Sequence, residues 1–346
     1  MRRGLLVLGA AVALLLGLGL AAALYDRPPV TPGTWLAHAG LEARQATVGG
    51  HRVRYVRSGS GSGSTVVLVH GIASSLYTWK DVLPGLSRSH DVIAVDLPGF
   101  GTSDLPADLS FLDLPASVVG LMDRLGIERA ALVGHSMGGA VAAVVAAENP
   151  GRVRGLVLVD AAGFNLEPED QPAMVRLVTS PLVPLLARLP GKRLLVERSL
   201  REVFHDDRYV TEERVAEYLA ATLRPGSVPA MRSLMLSLAG RTGFVRDRLP
   251  RIQTPTLVVW GREDRWVPLA DADRFVEAIP GARKVVFDAC GHMPQEERPR
   301  RLTGLLEEFL ADPEGLAGEP QATSARGRRV FPGPSEPSGS AGARGR

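Results

Sequence analysis

Gly134-His135-Ser136-Met137-Gly138 sets a serine between two glycines in the pattern G-x-S-x-G, with Gly139 following. A serine hydroxyl attacks a carbonyl carbon only when a neighbouring base takes its proton, and that base needs an orienting carboxylate. Both partners occur downstream. Asp264 lies in Gly261-Arg262-Glu263-Asp264, and His292 lies in Cys290-Gly291-His292-Met293-Pro294. The chemistry these three would perform is acyl transfer, with Ser136 as nucleophile, His292 as base and Asp264 as orienting acid. Glu263, beside Asp264, and Asp160, at the end of an earlier strand, are rivals for the acid. The developing oxyanion needs two N–H donors. Met137 supplies one at the start of the helix after Ser136, and Ile72 in His70-Gly71-Ile72-Ala73-Ser74 is placed for the second. His70 reads as structural, hydrogen-bonded beneath its loop, and His135 as a neighbour of the serine; neither reads as the base. Phe100 and Trp266 are candidate pocket walls. His38, His51 and His205 make no metal-ligand pattern, so neither metal nor cofactor is expected.

These residues need a scaffold that gathers them on one rim. Ala46–Val48 and His51–Val56 flank Gly49-Gly50 and read as a β-hairpin. Further apolar, β-branched runs predict strands at Thr65–Val69, Val92–Val95, Ala130–Val133, Leu156–Val159, Thr256–Trp260 and Lys284–Phe287. Helical patterns at Ser117–Leu125, Met137–Glu148 and Ala270–Ala278 lie between them. This alternation predicts an α/β fold, a mostly parallel sheet with helices on both faces, begun by an antiparallel hairpin. Loops at the carboxyl ends of such strands converge on one edge, which would bring Ser136, Asp264 and His292 together. The long interval between Asp160 and Thr256 carries no convincing strand. It reads as a helical insertion over 165–245, with short helices broken by Pro181, Pro184 and Pro190.

The 346 residues are 45% hydrophobic and 22% charged, which excludes a disordered or fibrous chain. One cysteine, Cys290, excludes a disulfide framework and a Cys-cluster zinc site. The formal charge of +3 comes from the ends, at Arg2, Arg3 and the tail arginines, so the near-neutral body predicts no nucleic-acid partner. Residues 1–25 read as a transmembrane anchor, since Gly4 to Leu24 is apolar throughout and would reach roughly 30 Å as a helix. A signal segment cleaved after Ala23 is the alternative. The catalytic domain would then be membrane-anchored and extracytoplasmic, or secreted. Residues 26–40 read as a linker, 41–164 and 246–312 as the core, 165–245 as a cap, and 313–346 as a disordered tail rich in Pro, Gly and Ser.

His70-Gly71, DLPGFGTS over 96–103, GHSMGG over 134–139, GREDRWVP over 261–268 and GHMPQEERP over 291–299 together resemble the α/β-hydrolase superfamily. Within it they are similar to capped esterase-like and C–C-bond-hydrolase-like members. The resemblance implies an eight-stranded sheet with a helical cap inserted after the sixth strand. Superfamily members with an aspartate nucleophile, the epoxide hydrolases and haloalkane dehalogenases, are disfavoured by Ser136. The C–C hydrolases usually place Asn before the serine, and His135 departs from that toward ester-type substrates. The expectation is a serine hydrolase cleaving a carboxylic ester of a lipophilic or small organic substrate, with no cofactor. C–C hydrolysis, amide cleavage, acyl transfer or perhydrolysis on the same triad, and a non-catalytic binding protein, are the alternatives.

Overall fold

Short runs of Val, Leu and Ile bounded by turn formers become the strands of one eight-stranded sheet. The computed structural model describes residues 19–27, 31–59, 63–106, 108–164, 173–186, 189–239, 241 and 243–314. The strands are β1 (Ala43–Val48), β2 (His51–Ser58), β3 (Thr65–Val69), β4 (Asp91–Val95), β5 (Ala130–His135), β6 (Val153–Val159), β7 (Thr256–Gly261) and β8 (Arg283–Phe287). Their spatial order is β1-β2-β4-β3-β5-β6-β7-β8. β1 and β2 form the antiparallel hairpin, with Gly49 and Gly50 at φ 55° and 85° making the turn between Val48 and His51. β2 runs antiparallel to β4, and every later pairing is parallel. β4 and β5 are buried at every position, as expected of strands covered on both faces. β1 is three residues longer than the sequence pattern suggests, because Ala43, Arg44 and Gln45 pair with β2 through backbone alone and stay exposed.

The interval after β6 is helical where it is described. It holds helices at Ala173–Thr179, Val183–Leu186, Lys192–Val203, Glu212–Leu223 and Ser227–Ala239. Arg214 and Tyr218 of this cap reach Glu296 of the core, with Arg214 Nε at 2.8 Å and the Tyr218 hydroxyl at 2.5 Å from its carboxylate. Thr78 Oγ1 donates to the same carboxylate at 2.7 Å, so one buried acid joins cap to core.

Two expectations concern the N-terminal region. Residues 26–40 are not a bare linker, since Thr34–His38 is helical and Trp35 and Leu36 are buried. Trp35 meets Tyr77 edge-on at 5.8 Å, and burial of a large ring is what holds the segment to the body. The expected membrane span falls mostly on 1–18, outside the described residues. Residues 19–25 are helical. Among the described residues no helix is long and apolar enough to cross a membrane. The end of this helix is tied to the protein: the Tyr25 hydroxyl donates to Glu197 at 2.9 Å, and Asp26 accepts the N–H groups of Gly191 and Arg193 at 2.8 and 2.9 Å. The expected tail lies outside the described residues from 315 onward.

The turn that carries Ser136 is possible because three glycines let backbones touch. A Cβ on Gly134 would lie 2.3 Å from the Gly138 carbonyl oxygen, and one on Gly138 would lie 2.3 Å from Val69 O and 2.4 Å from His70 O. A Cβ on Gly71 would lie 3.0 Å from the Ser136 Cβ, so the loop after β3 rests on the serine turn. His70 fixes that loop from below, as its sequence position suggests. Its Nδ1–H donates to Gly71 O at 2.7 Å and its Nε2 accepts Leu97 N–H at 3.0 Å, which requires a neutral ring. Burial lowers its pKa from the ordinary histidine value.

Gly138→Ala is expected to remove about 3 kcal/mol or more of stability, because carbonyl oxygens of β3 and its loop would have to retreat. Gly151→Ala, in open space, should change it by less than about 0.5 kcal/mol; urea unfolding compares the two. For His70 the unfolded chain takes up a proton near pH 6.5, whereas the buried ring does so only at a lower pH. Its stabilisation is therefore complete above about pH 6.5 and lost as pH falls toward the folded-state value. Urea midpoints at about pH 7 and about pH 5 should lie further apart in the wild type than in His70→Asn.

Candidate active site

Ser136 ends β5 and opens the helix Met137–Glu148, with φ 52° and ψ −120°. A non-glycine residue held there carries strain of about 1–3 kcal/mol and persists only when its surroundings over-determine it. Here its N–H donates to Val159 O at 2.9 Å, and its carbonyl accepts Gly139 N–H and Ala162 N–H, each at 2.9 Å. Met137 stands at the first helical position, where a backbone N–H has no partner within the helix. Ile72 follows Gly71, which closely approaches the serine turn, and lines the same cavity as Ser136.

His292 is held on several sides. Its Nδ1 lies 2.7 Å from Asp264 Oδ2 and its backbone N–H donates to Val203 O of the cap at 2.7 Å. His135 Nε2–H donates to the His292 carbonyl at 2.7 Å, and the two rings lie 4.8 Å apart. Trp266 stacks on the other side at 5.8 Å. Asp264 in turn accepts the N–H groups of Trp266 and Val267 at 2.7 and 3.0 Å. With Nδ1–H committed to Asp264, Nε2 is left as the acceptor on the ring. No hydrogen bond joins Ser136 Oγ to His292 among the described residues; both side chains line one cavity of about 160 Å³.

Of the rivals for the acid, Glu263 Oε2 accepts Cys290 N–H at 2.8 Å and so braces the histidine loop from outside. Asp160 stands behind Asp264, with Oδ1 accepting Gly261 N–H at 2.9 Å. Trp266 lines the cavity beside Ser136. Phe100 packs edge-on against His70 at 5.5 Å and borders an adjoining void of about 20 Å³ that shares Ala73, Thr222, Val228 and Met231 with that cavity.

Sequence reasoning passed over two supports. His135 read only as a neighbour of the serine, yet it bonds the His292 backbone across 157 positions of sequence. Burial, and then the nearby His292, hold its pKa well below the usual value, so it stays neutral. Glu297 accepts Gly291 N–H at 2.8 Å and His205 N–H at 2.9 Å, joining the histidine loop to the cap. Burial pushes its pKa up, and those two N–H donors oppose the rise. Gln295, Glu296 and Glu297 resemble a solvated helix start in sequence, and only their burial reveals them.

The family description "alpha/beta hydrolase fold" matches residues 64–299. The 2-hydroxymuconate semialdehyde hydrolase of Pseudomonas sp. (strain CF600) is 34% identical over 272 residues, 75% of this chain and 90% of that protein. A solved meta-cleavage product hydrolase (CumD) of Pseudomonas fluorescens IP01 superposes with a TM-score of 0.67 at 28% identity, covering 78% of this chain and 97% of that one. A solved membrane phospholipase A described as a bacterial virulence factor superposes with a TM-score of 0.68 at 27% identity, covering 92% of this chain and 100% of that one. The likeness to the curated hydrolases overturns the expected membrane-anchored, extracytoplasmic or secreted placement. With its sheet order, its serine turn and a profile match over most of its length, the chain belongs to the α/β-hydrolase family and is a hydrolase.

Proposed function

We propose that this hydrolase cleaves carboxylic esters with a lipophilic acyl group through Ser136, His292 and Asp264. The observation that carries the reading is the cavity beside Ser136. Leu177, Val178, Val183, Leu195, Leu200 and Met231 are among its walls, and Lys192 is the single Lys, Arg, Asp or Glu in its lining among the described residues. An apolar chain gains about 25 cal/mol per Å² on entering such a space, whereas a charged group without a partner loses far more. The likeness to a phospholipase over 92% of this chain supports the same substrate class.

In the mechanism we infer, His292 Nε2 takes the proton of Ser136 Oγ as Oγ attacks the ester carbon. Asp264 keeps Nδ1 protonated and stabilises the imidazolium that forms. The N–H groups of Ile72 and Met137 receive the oxyanion. His292 then protonates the leaving alkoxide, and a water deprotonated by the same ring releases the acid. The Oγ–Nε2 bond that this requires is one that often tightens only when substrate is bound.

C–C bond hydrolysis is the second reading, favoured by the names of the curated relatives, which include a 2-hydroxy-6-oxo-2,4-heptadienoate hydrolase. A dienoate carries a carboxylate, which in this cavity would have to reach Lys192.

Hydrolysis of p-nitrophenyl esters of graded chain length is expected to rise from acetate to medium-chain acyl groups and to fall by about 10⁴-fold or more in Ser136→Ala. Full activity in that variant would remove the proposal. A parallel assay with a 2-hydroxy-6-oxo-dienoate decides between the readings. Under the ester reading its kcat/KM stays below that of the best ester; the reverse order, weakened selectively by Lys192→Ala, would establish the C–C reading instead.

A further inference from the structure

Asp160 is a buried acid for which the reaction above has no task. It closes β6 with no exposed surface and a left-handed φ of 43°. One carboxylate oxygen, Oδ1, accepts Gly261 N–H at 2.9 Å, while Oδ2 has no hydrogen-bond partner among the described residues. Asp160, Asp264 and His292 each offer an atom within 4.8 Å of the others, so the Asp160 carboxyl, with its unpartnered oxygen, sits beside that of Asp264.

Two adjacent carboxylates out of water do not both stay ionised. Donor count decides which keeps the charge. Asp264 receives the N–H groups of Trp266 and Val267 and the Nδ1–H of His292, whereas Asp160 receives only that of Gly261. The proton therefore belongs on Asp160, and placing it on Oδ2 turns an orphaned acceptor into a donor aimed at Asp264. We propose that Asp160 is a neutral carboxylic acid whose Oδ2–H donates to Asp264 and so positions the acid that orients His292. The proposal rests on the reading of Ser136, Asp264 and His292 as a triad. Burial, followed by the negative charge of Asp264, pushes the Asp160 carboxyl well above the usual range, and Glu297 acts in the same direction. Cys290, whose thiol burial holds neutral, and His292 are the other titratable groups facing it.

The role differs from that of a second orienting acid. A donor to Asp264 spreads its charge and fixes its rotation, and an amide does this as well as a neutral acid. Asp160→Asn is thus a rescue variant, keeping Oδ1 on Gly261 and offering Nδ2–H to Asp264. Asp160→Ala removes the donor.

The test uses the full chain. Infrared difference spectra of wild type against Asp160→Asn at about pH 7 should contain the carbonyl stretch of a neutral carboxylic acid, far above the ordinary aspartate pKa. Labelling of Ser136 by a fluorophosphonate should slow roughly tenfold to a hundredfold in Asp160→Ala. In Asp160→Asn it should recover to within about threefold of wild type. An ionised Asp160 in the spectrum, or an Asn variant as slow as the Ala variant with an intact thermal transition, overturns the proposal. If Asp160→Ala does not fold, the spectrum and the Asn variant decide. If the wild type neither labels nor hydrolyses esters, the triad reading fails, and the spectrum still reports the proton on Asp160.

Discussion

The hydrogen bond between His292 Nδ1 and Asp264 Oδ2, 2.7 Å long, is the contact on which the rest of the site depends. An imidazole has two nitrogens, and a base is useful only if its lone pair faces the nucleophile. Committing the Nδ1 proton to a carboxylate settles the tautomer, and stacking on Trp266 limits rotation of the ring. The carboxylate must itself be unable to turn. Two backbone N–H groups hold one of its oxygens, and the loop they belong to grows directly from the buried end of β7. Rigid sheet, fixed acid and oriented ring form a chain of constraint in which each link is short and hydrogen-bonded.

The histidine loop is also where core and cap meet. The His292 N–H reaches Val203 O, and Glu297 takes one N–H from the loop and one from His205. A few residues on, Glu296 collects Arg214, Tyr218 and Thr78. Burying such charges costs several kcal/mol per ion unless every lone pair finds a donor, so these contacts contribute less to net stability than to a defined geometry. What they define is the position of the cap helices that wall the cavity. Tyr25 and Asp26 continue this from outside, with Asp26 accepting the N–H groups on either side of Lys192. Chemistry and substrate space are thereby held by one set of polar contacts, and movement of the cap would be felt at His292.

Sheet and serine turn were legible in the sequence because each depends on local rules. Val and Leu runs such as Thr65–Val69 read as buried strands wherever they pair, and Gly134, Gly138 and Gly139 around Ser136 report that no side chain fits there. The histidine and its acid were legible from order and from their places just past strand ends. The supports were not. Glu263 and Asp264 are adjacent acids of equal chemistry, and which faces His292 depends on how the loop turns after Gly261. The direction of the Phe100 ring follows from its edge-on packing against His70, a contact between residues 30 positions apart. Trp35 and Leu36 lay in a Pro-rich stretch that resembled a linker, and their burial needed the Tyr77 surface, which lies far along the chain.

Sequence alone determined the strand–helix alternation, the serine between its glycines, and the places of Asp264 and His292 just past strand ends, since all of these rest on short-range sterics and periodicity. Only the tertiary structure decided which of three acids touches the imidazole, that His135 holds the His292 backbone, and that most of the residues around the cavity by Ser136 come from the cap. Those facts depend on distances between residues 28 to 157 positions apart, set by packing of whole elements, and no local pattern encodes them.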